Sequence, residues 1–305
     1  MSNGRLDAWG LPLARRLRPT VAVVGHVEWA KLIRVERVPR TGELVDGVAV
    51  GAEAAGAGAI AAVQLARLGA RVTLLTAVGA DHDGTAALGR LRALGVDLAA
   101  VRRAAPQRRI LVLLDERGER TLLPIGERLL PDLDDELPWH VLADADAVLL
   151  VAAGPGAVDA CCKTRVVLTT ARWLPRVREG SRRVDAAVGS AADAAEALDF
   201  DPLECSDLEV WTEGAAGGRW RTREAEGRFA PAGVPGPIAD TYGCGDSFLG
   251  GFTFGFAAGM TVDGALALGA RCGATCLTGV GPYERQLRFG DDVDARRMPL
   301  LRLPP

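Results

Sequence analysis

Lysine is almost absent from this chain. Of the 36 lysine and arginine residues, only Lys31 and Lys163 are lysines, and neither follows a glycine. A phosphate loop of the form Gly-x-x-x-x-Gly-Lys-Ser/Thr is therefore excluded. We interpret the arginine excess as a bias of composition, although arginine suits bidentate contacts to phosphate. Any phosphate-binding site in this protein must use a different cradle.

Several other features are also missing. The six cysteines show no Cys-x-x-Cys spacing and have no pair of histidines near them, which argues against a zinc site. No apolar run is long enough to span a membrane, and no signal peptide is recognisable, so we expect a cytoplasmic protein. The net charge of -3 gives no reason to expect a nucleic acid or a membrane surface as partner.

The order of the predicted elements indicates an α/β protein. An apolar β-branched strand over 20–25 precedes an alanine-rich helix over 56–69 and a second strand over 71–78. Further core strands are expected within 141–153 and 165–170. Strands that alternate with helices predict a mainly parallel central sheet covered by helices on both faces.

Two other regions are rich in strand and turn signals. Residues 31–50 contain turn sequences, and residues 98–123 contain three short strand-like runs with a hairpin turn at Glu116-Arg-Gly118. We expect these two insertions to form a separate small sheet. The main domain would then cover 20–290, with 1–19 and 291–305 as terminal extensions.

The most informative stretch is Asp240-Thr-Tyr-Gly-Cys-Gly-Asp246. It precedes three phenylalanines spaced four apart, the spacing of one helix face, so the turn is predicted to open a helix. Glycines at 243 and 245 allow close approach of the backbone, and unpaired N–H groups at a helix start bind anions. Asp246 would repel a phosphate and therefore makes sense as a general base. The alternative is that it is an ordinary helix-capping residue.

This stretch resembles the C-terminal signature of the PfkB or ribokinase family of carbohydrate and nucleoside kinases. The segment 56–69 is similar to the family's N-terminal signature in glycine placement and in its Leu-Gly ending, and 78–84 resembles the family's Val-Gly-x-Asp-x-x-Gly turn. The resemblance implies a ribokinase-like fold in which the small sheet is a lid over the sugar. It also implies a homodimer formed through that lid.

The resemblance further implies site residues for catalysis and nucleotide binding. Asp246 would be the base, and the N–H groups of residues 243–245 would form the anion hole. These anion-hole residues are Gly243, Cys244 and Gly245. The residues expected to bind the nucleotide are Thr212, Gly214, Gly217, Thr241 and Gly273. For Gly273, close helix packing explains the glycine equally well.

Metal and substrate contacts follow in the same way. Asp193 has the position of a family glutamate that acts on the metal through water, with a helix N-cap as the alternative. Asp240 and Thr241 would shape the turn and order a cation. The residues expected to bind the substrate are His26, Glu28, Gly56, Ile60 and Asp246. His26 and Glu28 follow the first strand, at the sheet edge where ligands bind in open α/β sheets, although ordinary loop polar groups would also look like this.

Two substrate positions depart from the family pattern. Ile60 stands where the family's sugar-binding Asn is expected, and Ala30 stands about where its substrate Asp follows the first strand. We expect an ATP-dependent phosphotransferase that acts on a hydroxyl of a sugar-like molecule and uses Mg²⁺ and a monovalent cation. The alternative is a catalytically weak nucleotide- or metabolite-binding regulator on the same fold. A dinucleotide-dependent oxidoreductase is disfavoured because no Gly-x-Gly-x-x-Gly follows the first strand.

Overall fold

The computed structural model describes residues 18–291 of the chain, and a nine-stranded sheet forms the centre of that part. Its strands lie in the order β13-β12-β11-β10-β9-β8-β1-β4-β5. Their bounds are β1 Thr20–Val24, β4 Arg71–Gly79, β5 Asp97–Arg103, β8 Ala147–Leu150, β9 Val167–Thr170, β10 Val184–Ser190, β11 Ser206–Thr212, β12 Gly218–Arg221 and β13 Glu226–Phe229. All neighbours pair in parallel except at β12 and β13, which form an antiparallel edge. The expected mainly parallel sheet is confirmed.

Helices cover both faces of this sheet. They are α1 Ala57–Arg67, α2 His82–Ala93, α3 Val141–Asp144, α4 Pro155–Cys161, α5 Leu174–Glu179, α6 Cys244–Ala257 and α7 Val262–Cys276. Successive side chains of β1 enter opposite cores, as the period of a strand requires: Val21 belongs to the core that includes residues of α1, α6 and α7, and Ala22 belongs to the core that includes residues of α4 and α5. Both faces are buried at the centre of the sheet, so residues 21–24 of β1 and all of β8 are apolar and do not alternate.

The aromatic stripe that follows residue 246 forms one buried face of α6. The rings of Phe248 and Phe252 lie 6.1 Å apart, and those of Phe252 and Phe256 lie 4.9 Å apart. All three side chains are buried in the core. This packing fixes the first turn of α6 against the sheet. Within residues 18–291, no helix has both the length and the apolar character needed to cross a membrane.

A separate four-stranded sheet has the order β3-β2-β6-β7. Its strands are β2 Glu28–Val35, β3 Gly47–Ala55, β6 Arg109–Leu114 and β7 Arg120–Ile125. The predicted hairpin turn joins β6 to β7, where the Gly118 N–H donates to Asp115 O at 3.0 Å. We call this sheet the lid. Exposed apolar side chains lie on it, including Val48 and Leu123, and the homodimer expected through the lid stays a prediction.

One strand assignment was wrong. Residues 98–103 were expected in the small sheet, but they lie in β5, the edge strand of the large sheet, parallel to β4. The chain reaches β5 through α2, a standard crossover between neighbouring parallel strands. A short strand-like run carries no signal for the sheet it joins, because pairing is decided by the tertiary fold.

Candidate active site

A cavity of about 490 Å³ lies between the carboxyl edge of the large sheet and the lid. The sheet side carries residues that follow strands β1, β8, β9, β10 and β11, and the lid side carries residues of β6 and β7 with the segment after them. The start of α6 closes one end. The charged and polar lining residues are His26, Glu28, Arg108, Arg120, Arg128, Thr170, Arg172, Ser190, Asp193, Glu196, Thr212, Tyr242 and Asp246.

The turn that opens α6 is held by Asp240. This side chain is fully buried, and its two carboxylate oxygens accept from the N–H groups of Tyr242 at 2.8 Å and Gly281 at 2.7 Å. Burial raises its pKa, and these two hydrogen bonds oppose the rise. Asp240 does not line the cavity, so its contacts are those of a turn-shaping residue. Its predicted role as a cation ligand stays a prediction.

Thr241 ties the same turn to the lid. Its N–H donates to Gly118 O at 3.1 Å, and its hydroxyl donates to the same oxygen at 3.2 Å. Arg120 of β7 in turn donates to the Thr241 hydroxyl at 3.3 Å. The α6 turn and the β6–β7 hairpin therefore form one connected wall of the cavity, and Thr241 acts in that connection.

Gly243 has the backbone conformation that allows α6 to begin here. Its φ of 87° is left-handed, and an added Cβ would lie 2.7 Å from the Cβ of Pro282. Gly243 and Gly245 line the cavity, and Cys244 lies between them as the first residue of α6. The first-turn N–H groups of a helix have no partner within the helix. The residues predicted to form the anion hole therefore lie at or next to the cavity wall, and the anion hole itself stays a prediction.

Asp246 faces the cavity from the first turn of α6. Among the described residues it has neither a hydrogen-bond partner nor an ion-pair partner. Burial raises the pKa of Asp246 to about 6, the Arg120 guanidinium opposes this rise, and the nearby Glu28 carboxylate adds to it. A carboxyl with a pKa close to neutral suits a general base.

His26 and Glu28 lie together in the cavity wall, and their predicted contacts to the substrate stay a prediction. Glu28 Oε1 lies 3.8 Å from His26 Nε2 and 2.8 Å from Arg108 Nε, although the latter contact lacks the alignment of a hydrogen bond. Burial first, and then Arg128, Arg108 and Arg172, lower the pKa of His26 well below its usual range. His26 is therefore neutral near pH 7. Its Nδ1 has no hydrogen-bond partner among the described residues.

The other predicted substrate positions do not line the cavity. Gly56 has φ 96°, and an added Cβ would lie 2.9 Å from His26 O, so this glycine allows α1 to approach β1 closely. Ile60 is 1% exposed, and Ala30 is fully buried. Both pack in the core. The polar contacts that the resemblance would place at these two positions are absent here.

The predicted nucleotide residues are only partly brought together. Thr212 lines the cavity at the end of β11, whereas Gly214 and Gly217 lie in the turn that follows it. Gly217 has φ 80°, and an added Cβ would lie 2.1 Å from Phe229 O, so the turn itself requires this glycine. An added Cβ at Gly273 would lie 3.2 Å from Cys244 O, where α6 and α7 pack. These nucleotide contacts stay predictions.

Asp193 is both a capping residue and a cavity residue, and its predicted role toward the metal stays a prediction. It caps a short 3₁₀ turn by accepting from Ala195 N at 2.9 Å, and it also lines the cavity, where it pairs with Arg172 at 2.6 Å. Glu196 is a second carboxylate here: it accepts from Ser190 N at 2.7 Å, and burial raises its pKa. The Asp246 carboxylate also raises the pKa of Glu196, to a smaller extent than burial does.

The sequence reasoning missed five charged residues of the cavity: Arg108, Arg120, Arg128, Arg172 and Glu196. Arg108, Arg120 and Arg128 come from segments far from the α6 turn in sequence. Arg172 follows β9, so its position at the carboxyl edge of the sheet was a usable signal. The high arginine content of the chain concealed it.

No group of three or more histidine, cysteine or acidic side chains within residues 18–291 is arranged to hold a metal ion by itself. Mg²⁺, however, is commonly held by one or two carboxylates together with water and substrate phosphates. Asp193 and Glu196 supply that kind of donor at the cavity. The residues present therefore fit a magnesium–nucleotide complex and do not form an all-protein metal cage.

Solved structures define the class to which this architecture belongs. A putative ribokinase from Agrobacterium tumefaciens has a TM-score of 0.75 at 24% identity and covers 89% of this chain and 95% of its own. Ribokinase from Thermotoga maritima has a TM-score of 0.72 at 17% identity, with 89% and 97% covered. The protein therefore has the ribokinase fold.

Sequence comparison then gives the family. The model described as "pfkB family carbohydrate kinase" matches residues 18–173 and 180–287, so the chain belongs to the pfkB family of carbohydrate kinases. An ATP-dependent ribose-1-phosphate kinase from Halopiger xanaduensis is 29% identical over 83% of this chain and 90% of its own. Ribokinase from Bacillus subtilis is 28% identical over 86% and 94%. The protein is thus a carbohydrate or nucleoside kinase.

Proposed function

We propose that this protein transfers the γ-phosphoryl group of ATP to a hydroxyl group of a sugar or sugar-like molecule, with Asp246 as the general base. The observation that carries this proposal is the position of Asp246. Its carboxylate faces the cavity without a partner among the described residues, one turn from the left-handed Gly243 that opens α6. Relatives that span most of the chain are named as kinases of ribose and of ribose 1-phosphate, which supports a sugar-like acceptor.

The proposed step is a direct displacement. Asp246 removes the proton from the acceptor hydroxyl, the hydroxyl oxygen attacks the γ-phosphorus, and the bond from that phosphorus to the β-bridging oxygen breaks. ADP leaves, the acceptor becomes a phosphate ester, and the proton passes from Asp246 to solvent. The N–H groups of residues 243–245 stabilise the charge that grows on the transferred group.

The other cavity residues support this step. Arg172, from the carboxyl end of β9, is suited to hold the transferred phosphoryl group, since guanidinium binds phosphate oxygens in a bidentate manner. Asp193 and Glu196 would hold Mg²⁺ directly or through water. Bound Mg²⁺ would neutralise charge on the phosphates of ATP. The connection from Thr241 to the lid would close the cavity against water, which prevents hydrolysis of ATP.

A regulator with little catalysis is the second candidate. The specific observation that favours it is the apolar pair Ile60 and Ala30, both buried in the core instead of facing an acceptor. A site that kept nucleotide binding after losing its acceptor contacts would look similar. The partnerless Asp246 argues against it, because a site without turnover has no need of a base.

The deciding experiment measures ADP formation with a panel of sugars, sugar phosphates and nucleosides, for the wild type and for Asp246→Asn. We expect turnover with at least one panel member and a loss in kcat of about 10²- to 10⁴-fold in the variant. Binding of ATP, measured by calorimetry, should be unchanged. Turnover of the variant at close to the wild-type rate would show that Asp246 is not the base, and nucleotide binding without any turnover would favour the regulator.

A further inference from the structure

The cavity carries four arginines, and among the described residues only two of them pair with a carboxylate. Arg108 pairs with Glu28, and Arg172 pairs with Asp193. Arg120 has only the Thr241 hydroxyl as a hydrogen-bond partner among the described residues. Arg128 forms no ion pair with any described residue. The lid side of the cavity therefore carries two guanidinium groups that form no ion pair with a described carboxylate.

The partial burial of the Arg128 guanidinium is unfavourable unless an anion compensates its charge. Its Nε is buried without a hydrogen-bond partner among the described residues, and its guanidinium lies 5.9 Å from the centre of the Trp173 ring. Burial first, and then Arg108, lower the pKa of Arg128, while Glu28 opposes that shift. Buried cations that crowd one another are disfavoured unless an anion compensates them.

The surroundings of His26 show the same excess of positive charge in the cavity. It is 7% exposed and lines the cavity, and its Nδ1 lacks a partner within the described chain. The three arginines at 108, 128 and 172 all disfavour its protonation. A neutral imidazole can donate to or accept from a ligand, so this part of the wall offers a buried polar group as well as free guanidinium groups.

We propose that the acceptor already carries a phosphate ester, and that Arg128 and Arg120, with Arg108 beside them, bind that phosphate while Asp246 acts on a hydroxyl elsewhere in the same molecule. This inference rests on the proposed function. A phosphate ester fits because it carries close to two negative charges and several acceptor oxygens, which match guanidinium groups arriving from different segments. Ile60 and Ala30 agree with it, since the acceptor is recognised through its anion instead of through side chains at those positions.

The overall reaction is then fully balanced. The acceptor hydroxyl loses its proton to Asp246, its oxygen forms the new bond to the γ-phosphorus of ATP, and ADP leaves. The product is a sugar that carries two phosphate groups. The phosphate bound by Arg128 keeps all of its bonds throughout.

The first test uses matched acceptors. Ribose is compared with ribose 1-phosphate and ribose 5-phosphate, fructose with fructose 6-phosphate, and gluconate serves as an acid without phosphate. We expect kcat/KM to be at least about 100-fold higher for one phosphorylated sugar than for its neutral counterpart, because contacts to charged groups are strong. A preference for a neutral sugar or for gluconate would overturn the inference but leave the proposed kinase function standing. An absence of turnover with every acceptor would count against both.

The second test uses the preferred phosphorylated acceptor and three variants. Arg128→Met should raise the KM for that acceptor about 10- to 100-fold and leave the KM for ATP within about twofold of wild type. Arg128→Lys should recover part of the loss. Arg109→Met is the matched control, since Arg109 lies next to Arg108 but pairs with Asp83 at 2.5 Å outside the cavity lining, and it should leave both KM values unchanged.

Two further outcomes would contradict the inference. A higher KM for ATP with an unchanged KM for the acceptor would assign Arg128 to the nucleotide. An unchanged KM for both would show that Arg128 has no ligand. Thermal unfolding of each variant, with and without ATP, distinguishes these outcomes from misfolding, because ATP raises the apparent stability only of a folded binding site.

Discussion

The two ends of the cavity differ in how they are built. At the α6 end, the site comes from one continuous stretch, Asp240 to Asp246, in which Asp240 holds the turn and Asp246 faces the cavity. At the lid end, the side chains come from separate segments, with Arg108 just before β6, Arg120 on β7 and Arg128 after β7. The residues proposed as the base and the anion hole are thus encoded in one local stretch, whereas those proposed to recognise the acceptor are assembled by the tertiary fold.

The family resemblance therefore applies to the α6 end of the cavity more than to the lid end. A local turn is kept or lost as a unit, because its glycine conformation and its buried hydrogen bonds depend on one another. An assembled wall can exchange one contact at a time. Ile60 and Ala30 lie in the core, while the arginines provide the charged groups of the wall. The predictions below test this contrast in order of decreasing effect.

The largest effect is expected from Gly243→Ala. The alanine would have to adopt φ 87° with its Cβ 2.7 Å from that of Pro282. We expect a loss of about 2–4 kcal/mol in the free energy of unfolding, since a left-handed non-glycine residue and a close contact both cost energy. Because the anion hole shifts as well, kcat should fall about 100-fold or more. Urea denaturation and steady-state kinetics measure the two effects.

Gly245→Ala is the control from the same turn. An added Cβ at Gly245 meets no atom within 4 Å, and the residue lies within α6. Its stability should be unchanged or should rise by up to about 1 kcal/mol, because alanine is favoured over glycine in a helix. Equal losses of stability in the two variants would contradict the idea that Gly243 alone carries the strained position of this turn.

The same contrast explains what the sequence could and could not predict. The turn and the helix around Asp246 follow from spacing within a few residues, and so do the hairpin at Gly118 and the helix over 57–67. The pairing of β5 with β4 was missed because a short apolar strand does not specify its neighbour. The cavity arginines and Glu196 were missed because their convergence on the cavity depends on packing between segments that are separate in sequence.

A second prediction concerns Ile60, the position at which the resemblance places an asparagine. Ile60→Asn should not create an acceptor contact, because this side chain is 1% exposed and lies outside the cavity lining. We expect a loss of about 2–4 kcal/mol in stability from the buried amide and the lost apolar packing. The KM for the acceptor should be unchanged.

Ile60→Val provides the comparison for that variant. It removes one buried methyl group and should cost only about 1 kcal/mol. A lower KM for a neutral sugar in Ile60→Asn would show instead that this position still faces the acceptor. In that case the two ends of the cavity would be less different than we infer.

The smallest effect is the dependence of stability and rate on pH through Asp246. Burial raises its pKa to about 6 in the folded protein, above the usual value for an aspartate in an unfolded chain. The folded state therefore binds this proton more tightly than the unfolded chain does. The resulting contribution to the free energy of unfolding is fully present below the unfolded pKa and is lost as the pH rises through about 6. Asp246→Asn should consequently be more stable than wild type at pH 8 by about 1–3 kcal/mol, and this difference should vanish near pH 4.

The rate should follow the opposite trend, since the base acts only when ionised: kcat/KM should fall about tenfold per pH unit below 6. Urea denaturation at pH 4, 6 and 8 and a pH–rate profile of the wild type test the two trends. A rate that does not change between pH 5 and 8 would show that Asp246 is not the base. The proposed difference between the two ends of the cavity would then be lost as well.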